Sequence, residues 1–141
     1  MSPLDDLPLA GEVVAKDFDG WSETVREEFG RHAFNGHVGG ALLRETGRVR
    51  VWDIRLAPGE RLPAHRHVLD YFWTALTDGR GRQHIHDGTT REVSYRRGET
   101  RSYAFGPGAY LLHDLQNLGD EPLAFITVEL LESANRPLPL G

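Results

Sequence analysis

The sequence predicts an all-β fold, a sandwich or barrel of short strands in one domain. Three observations carry this expectation. Segments rich in Val, Ile, Thr, Tyr, Phe and Trp recur along the chain, divided at regular spacing by Gly, Pro and Asp-Gly turn signals. A chain of 141 residues has room for one hydrophobic core and not two. Only residues 22–29 carry a helical pattern, and no internal repeat, linker or low-complexity run breaks the chain.

Taken in order, residues 1–12 read as an irregular arm punctuated by Pro3, Pro8 and Gly11. Val13-Val14 starts a short strand, and Asp17-Phe18-Asp19-Gly20 forms a turn. Ser22 is placed to cap one or two helical turns that put Val25 and Phe29 on one face; an irregular connection is the competing reading. The Gly-rich stretch 30–40 holds His32 and His37, read as exposed loop histidines. Residues 41–44 and 48–56 read as two strands joined by a short hairpin at Glu45-Thr46-Gly47.

Pro58-Gly59 ends the second of these strands. Residues 71–77 are rich in β-formers and stop at Asp78-Gly79. Residues 82–86 and 89–95 face each other across Asp87-Gly88, a strong hairpin signal. Segments 101–105, 109–115 and 123–131 complete the set, with Gly106-Pro107-Gly108 dividing the first two. Residues 132–141, with Pro137 and Pro139, read as a tail.

Composition narrows the function classes. The net charge of -5 argues against nucleic acid as a partner, because phosphate binding needs clustered positive charge. The chain has no cysteine, which removes disulfides, thiolate metal sites and a cysteine nucleophile, and fits a reducing cytoplasm. No run is long and apolar enough to span a bilayer, and the acidic, proline-bearing N-terminus does not read as a secretory signal. No Gly-rich phosphate loop stands between a strand and a helix, and no nucleophile elbow is present.

The chemistry points to histidine. His65 and His67 follow Pro58-Gly59 and precede the aromatic run Tyr71-Phe72-Trp73. In an extended strand residues i and i+2 share a face, so both imidazoles point one way. His113 lies far downstream in Tyr110–Asn117. If the fold sets it opposite the pair, three neutral imidazoles converge and can hold a transition metal with positions left open. The competing reading is three lining histidines satisfied by hydrogen bonds. Imidazole ligands suit Fe, Ni, Zn or Cu and do not choose among them.

These residues resemble the cupin superfamily, in its small single-domain form. Gly59, five residues, His65-Arg66-His67 and an aromatic strand ending in Gly79 are similar to the first cupin motif, Gly-x5-His-x-His-x(3,4)-Glu-x6-Gly. Gly98, Gly106-Pro107-Gly108 and His113-Asp114-Leu115-Gln116-Asn117 resemble the second, Gly-x5-Pro-x-Gly-x2-His-x3-Asn, and residues 117–125 are also typical after its histidine. The resemblance covers roughly residues 40–131. Two departures stand out. The motif glutamate is missing: Tyr71 or Phe72 takes its place, and Asp70 is one residue short, so alternation turns it to the other face. The second motif is longer than the family spacing and has Tyr110 where its second glycine belongs.

The resemblance implies a double-stranded β-helix (jelly-roll) barrel over residues 40–131, with residues 1–39 as an arm packed on it and 132–141 as a tail. It implies one divalent transition metal on His65, His67 and His113, a small-molecule ligand or substrate, and a homodimer. Tyr71, in the glutamate position, is either a wall aromatic or a phenol near the metal. His84 and His86 share a face; they extend the site as acid/base groups if they point inward, whereas an inward Ile85 sends both to solvent. Arg101 and Tyr103 share a face suited to an anionic substrate, with Trp73 as a pocket wall.

The expected function is a metal-dependent enzyme of dioxygenase type acting on a small oxygenated organic molecule. The alternatives are a non-catalytic small-ligand sensor and a metal-free isomerase or epimerase that uses His and Tyr as acid and base. A cytoplasmic location, with no nucleic-acid or membrane partner, completes the expectation.

Overall fold

The computed structural model describes residues 7–140; the start of the expected arm, residues 1–6, and Gly141 lie outside the described residues. Ten strands and one helix follow in the order β1 (Glu12–Ala15), α1 (Glu23–Arg31), β2 (Ala41–Glu45), β3 (Val49–Leu56), β4 (Arg61–His67), β5 (Tyr71–Ala75), β6 (Gly79–His84), β7 (Thr90–Tyr95), β8 (Thr100–Tyr103), β9 (Leu111–Asn117) and β10 (Leu123–Leu130). They form two five-stranded sheets, in the orders β1-β7-β6-β9-β4 and β2-β3-β10-β5-β8, and every pairing is antiparallel. Inward side chains of both sheets meet in the core. Ile54, Leu56, Leu62, Val93, Leu115, Leu123 and Phe125 close one end of it. No helix among the described residues is long and apolar enough to cross a membrane.

The hairpins form where the turn residues stand. Gly88 sits at φ +92°, a left-handed conformation that costs glycine little, and the preceding Asp87 accepts the Thr89 N–H at 2.9 Å. Gly79, by contrast, opens β6 rather than closing β5. A Cβ there would lie 2.7 Å from Leu123 Cδ1, so the missing side chain admits a core leucine.

β4 departs from plain alternation. Leu62 pairs with Leu115 but His65 pairs with His113, so β4 spends three residues where β9 spends two. This bulge falls at Pro63-Ala64, where proline, which has no N–H to give to the ladder, is tolerated. Leu62, His65 and His67 therefore all face the interior, while Ala64 is buried on the outer side.

That outer side is covered by α1. Ser22 caps the helix by accepting the Val25 N–H at 3.1 Å, a contact worth about 1 kcal/mol. Val25 and Phe29, joined by Trp21, pack on Ala64 and Leu112. Glu28 then accepts from Arg61 (2.8 Å) and from the Ala64 N–H (3.1 Å), fastening the helix to the bulge.

The C-terminal segment crosses the other end of the barrel. Asn135 Nδ2 donates to the Val68 and Gly106 carbonyls at 3.0 and 3.1 Å. Farther along, Arg50 donates to the Leu138 carbonyl (3.2 Å), and His37 Nε2 lies 2.8 Å from the Leu140 carbonyl.

Candidate metal centre

His65 and His67, from β4, meet His113, from β9, on the inner face of one sheet. Their ring centroids lie 4.7 to 5.1 Å apart, and one ligand nitrogen of each falls within 4.8 Å of the others. The side chains are almost wholly buried: 2 % exposed for His65 and His67, 9 % for His113. Direct pairing of His65 with His113 across the ladder, and the two-residue step to His67, place all three.

The hydrogen bonds fix how two of these rings present themselves. His65 Nδ1 lies 2.8 Å from the Pro63 carbonyl, and His113 Nδ1 lies 2.8 Å from Gln83 Oε1. A carbonyl only accepts, so each Nδ1 carries its hydrogen and each Nε2 keeps a free lone pair. His67 Nδ1 is buried with no partner. Burial depresses the basicity of all three: His65 is brought down to about 4, and His67 and His113 fall well below the usual range, with repulsion from neighbouring histidines adding to it. At neutral pH the cluster is three uncharged imidazoles. That is the form a metal takes, and an orphaned ring nitrogen together with carbonyl-oriented partners fits a borderline-soft divalent ion. Fe, Ni, Zn and Cu all suit this donor set.

A small cavity of about 40 Å³ lies beside the cluster. Its walls are aromatic and apolar, with Tyr71, Trp73, Tyr95 and Phe125 prominent. Val38, from the segment before β2, also borders it. Gln83 and Thr127 supply polar groups besides the histidines. Gln83 Nε2 also donates to the Tyr95 hydroxyl at 3.3 Å, which keeps its Oε1 turned to His113.

Tyr71 stands on this wall. Its ring stacks on His67 at 3.9 Å with 10° between planes, and on Tyr103 at 4.9 Å. Burial holds its hydroxyl well above the ordinary tyrosine range, so it remains a neutral phenol. Trp73 lines the cavity and directs Nε1 to the Tyr103 hydroxyl at 3.4 Å. Tyr103 is buried behind Tyr71, and Arg101 is half-exposed and paired with Glu99 at 3.1 Å; neither is among the cavity-lining residues.

The structure does not bring His84 and His86 to the cavity. Ile85 is the inward residue, fully buried and bridged to His113. His84 lies on the outer face, where it meets Asp114 at 2.8 Å and the edge of Trp21. His86 stacks on Tyr110 at 4.4 Å, and its Nδ1 accepts the Leu112 N–H. Neither is freely solvated, because α1, Trp21 and Tyr110 cover that face. Gln83 is the site residue the sequence reading passed over. It is in phase with Ile85, so an inward Ile85 already implied it. His32, in the loop that precedes β2, is half-buried and makes a 3.1 Å contact with the Ala64 carbonyl.

No family model matches the chain, and no curated protein matches it. Solved structures do. A cupin domain from Bordetella pertussis Tohama I is 24 % identical with TM-score 0.57, over 64 % of this chain and 88 % of that one. A conserved protein with a double-stranded β-helix domain from Klebsiella pneumoniae is 24 % identical with TM-score 0.52, over 72 % and 77 %. An RmlC-like cupin family protein from Methanocaldococcus jannaschii is 21 % identical with TM-score 0.51, over 63 % and 75 %. Likeness at this level speaks for architecture, and the architecture is the cupin fold, a double-stranded β-helix.

Proposed function

We propose that the protein is a metal-dependent enzyme of oxygenase type that acts on a small oxygenated organic molecule. The observation that carries this reading is the convergence of three neutral, buried imidazoles on one point of an apolar cavity. A divalent ion held there supplies Lewis acidity and, where it is redox-active, access to oxygen chemistry. The chain's own residues do the rest. Gln83 and the Pro63 carbonyl hold His113 and His65 in the Nδ1–H tautomer. Tyr71 fixes the His67 ring by stacking. In this reading Trp73, Tyr95 and Phe125 keep bulk water from the reacting molecule, and Tyr71, a neutral phenol on the cavity wall, serves as a hydrogen-bond donor to it.

The cysteine-free chain suits a reducing cytoplasm. We further place a homodimer interface at the edge strand β2, which leaves Leu42 39 % and Leu43 57 % exposed.

The test is metal analysis of the purified protein with His65→Ala and His113→Ala beside it, followed by oxygen uptake with small diketones and hydroxy acids. The expected result is near-stoichiometric metal in the wild type, lost in both variants, and oxygen consumption that depends on it. Trace metal unaffected by either substitution would sink the metal centre. Full metal with no oxygen uptake would leave a metal-assisted binding protein.

A further inference from the structure

Three neutral imidazoles leave a divalent ion its whole double charge inside a barrel of low polarity. At the position of the cupin motif's glutamate stands Tyr71, which burial keeps a neutral phenol and which therefore brings no negative charge. The residue directly opposite Tyr71 on β10 is Glu129. It points inward, because β10 alternates and its earlier inward residues, Phe125 and Thr127, line the cavity. Cross-strand partners on one face hold their Cβ atoms about 5 Å apart. The Tyr71 ring in turn touches His67. A carboxyl group is thus present in the same layer of the same wall, one strand over. It belongs neither to the ligand cluster nor to the residues that line the cavity.

Its surroundings leave it without a counter-ion. Glu129 is 3 % exposed, and Oε1 accepts the Trp52 Nε1–H at 2.8 Å. Arg50, its register partner on β3, is engaged by Glu45 and by the Leu138 carbonyl, and Glu129 has no salt bridge among the described residues. The charged and titratable groups that face it are Arg50 from β3, which favours the carboxylate, Glu45 from β2, which opposes it, and Tyr71 from β5. Burial outweighs them and pushes the group up to about 7. Glutamine would fill the same space and keep the Trp52 hydrogen bond without the cost of a buried charge.

We propose that Glu129 supplies the negative charge that an ion on His65, His67 and His113 lacks, and that filling the site drives a proton off its carboxyl into solvent. The inference rests on the metal centre proposed above. The balance is simple: a divalent ion enters, one proton leaves Glu129, and the histidines, already neutral, release none. Glu129 lies outside the ligand cluster and the cavity lining, so it acts on the ion through space and not as a ligand.

The experiment is calorimetric titration with Zn²⁺ at pH 6, in buffers of different ionisation enthalpy, on the wild type and Glu129→Gln. The wild type is expected to release close to one proton per ion and the variant close to none. Between pH 6 and pH 8 the wild-type affinity should rise about tenfold, and that of the variant should stay flat. Infrared spectra give a second reading that needs no variant: a protonated-carboxyl band in the wild type at pH 6 that fades as Zn²⁺ is added. Equal proton release from both proteins, or no such band, overturns the role of Glu129 and leaves the metal centre standing. Failure of the folded wild type to bind Zn²⁺ overturns the metal centre, and this inference with it.

Discussion

His84 and Asp114 meet at 2.8 Å on the outer face of the sheet, directly behind the strand whose inner face carries His113. Asp114 is fully buried; it also takes the His84 N–H at 2.7 Å and Arg61 Nη2 at 2.6 Å. Burial alone would raise its carboxyl; hydrogen bonds from His84 and Arg61 outweigh that and hold it below the usual carboxylate range. Arg61 continues to Glu28 on α1. One chain of contacts thus joins the helix, the bulged strand and the histidine strand.

Asp114→Ala should therefore be costly. It leaves His84 without its acceptor in a covered site and Arg61 with Glu28 alone, and breaking a buried pair from one side costs up to about 3–5 kcal/mol. Urea unfolding of the metal-free protein measures this. A loss under about 1 kcal/mol would show the network to be incidental.

Gln83→Leu removes the acceptor that orients His113. Loss of such an orienting partner weakens metal binding by about 10–100-fold. Competition with a chelator of known affinity reads the change, and circular dichroism checks that the barrel is intact. Unaltered affinity would mean that packing alone holds the ring.

The metal-free protein should lose stability as pH falls from about 6.5 towards 4. His65 is depressed to about 4 in the folded state, so the unfolded chain takes up its proton first and folding is disfavoured through that window. His65 alone is worth about 3 kcal/mol across it, and His67 and His113 shift in the same direction. Glu129 works the other way: raised to about 7, it binds a proton in the folded state first and stabilises the fold as pH falls from about 7 to 4.5. Glu129→Gln should accordingly steepen the acid loss and add about 1–3 kcal/mol at pH 8. Chemical denaturation from pH 4 to 8 tests both signs; parallel curves for the two proteins would contradict the second.

Leu43→Lys on β2 should turn the proposed dimer into a monomer. Light scattering behind size-exclusion chromatography decides it, and a wild type of one-chain mass removes the interface.

Much of the barrel was legible because turn signals and β-rich runs are local. The Asp87-Gly88 hairpin, the β2–β3 hairpin and the Ser22-capped helix all stand where their residues put them. The His65–His67 step follows from strand alternation, and His113 from the second motif. Long-range relations were not legible. Alternation put Ile85 inward, yet nothing near His84 in the chain announced that Trp21, distant in sequence, would cover it. Glu129 sat inside the clearest strand, but its meaning depends on which residue of β5 it faces. The bulge at Pro63-Ala64 appears only once β4 is laid against β9.

That bulge locks β4 like a key cut for one position. Sliding the strand by one residue would turn both histidines out and bring Arg66 in; sliding it by two would leave the extra residue facing an unbroken ladder. Homologous inserts or deletions here should be tolerated only in compensating pairs, and a loop graft that alters the count between Leu62 and His65 would erase the site while leaving a barrel.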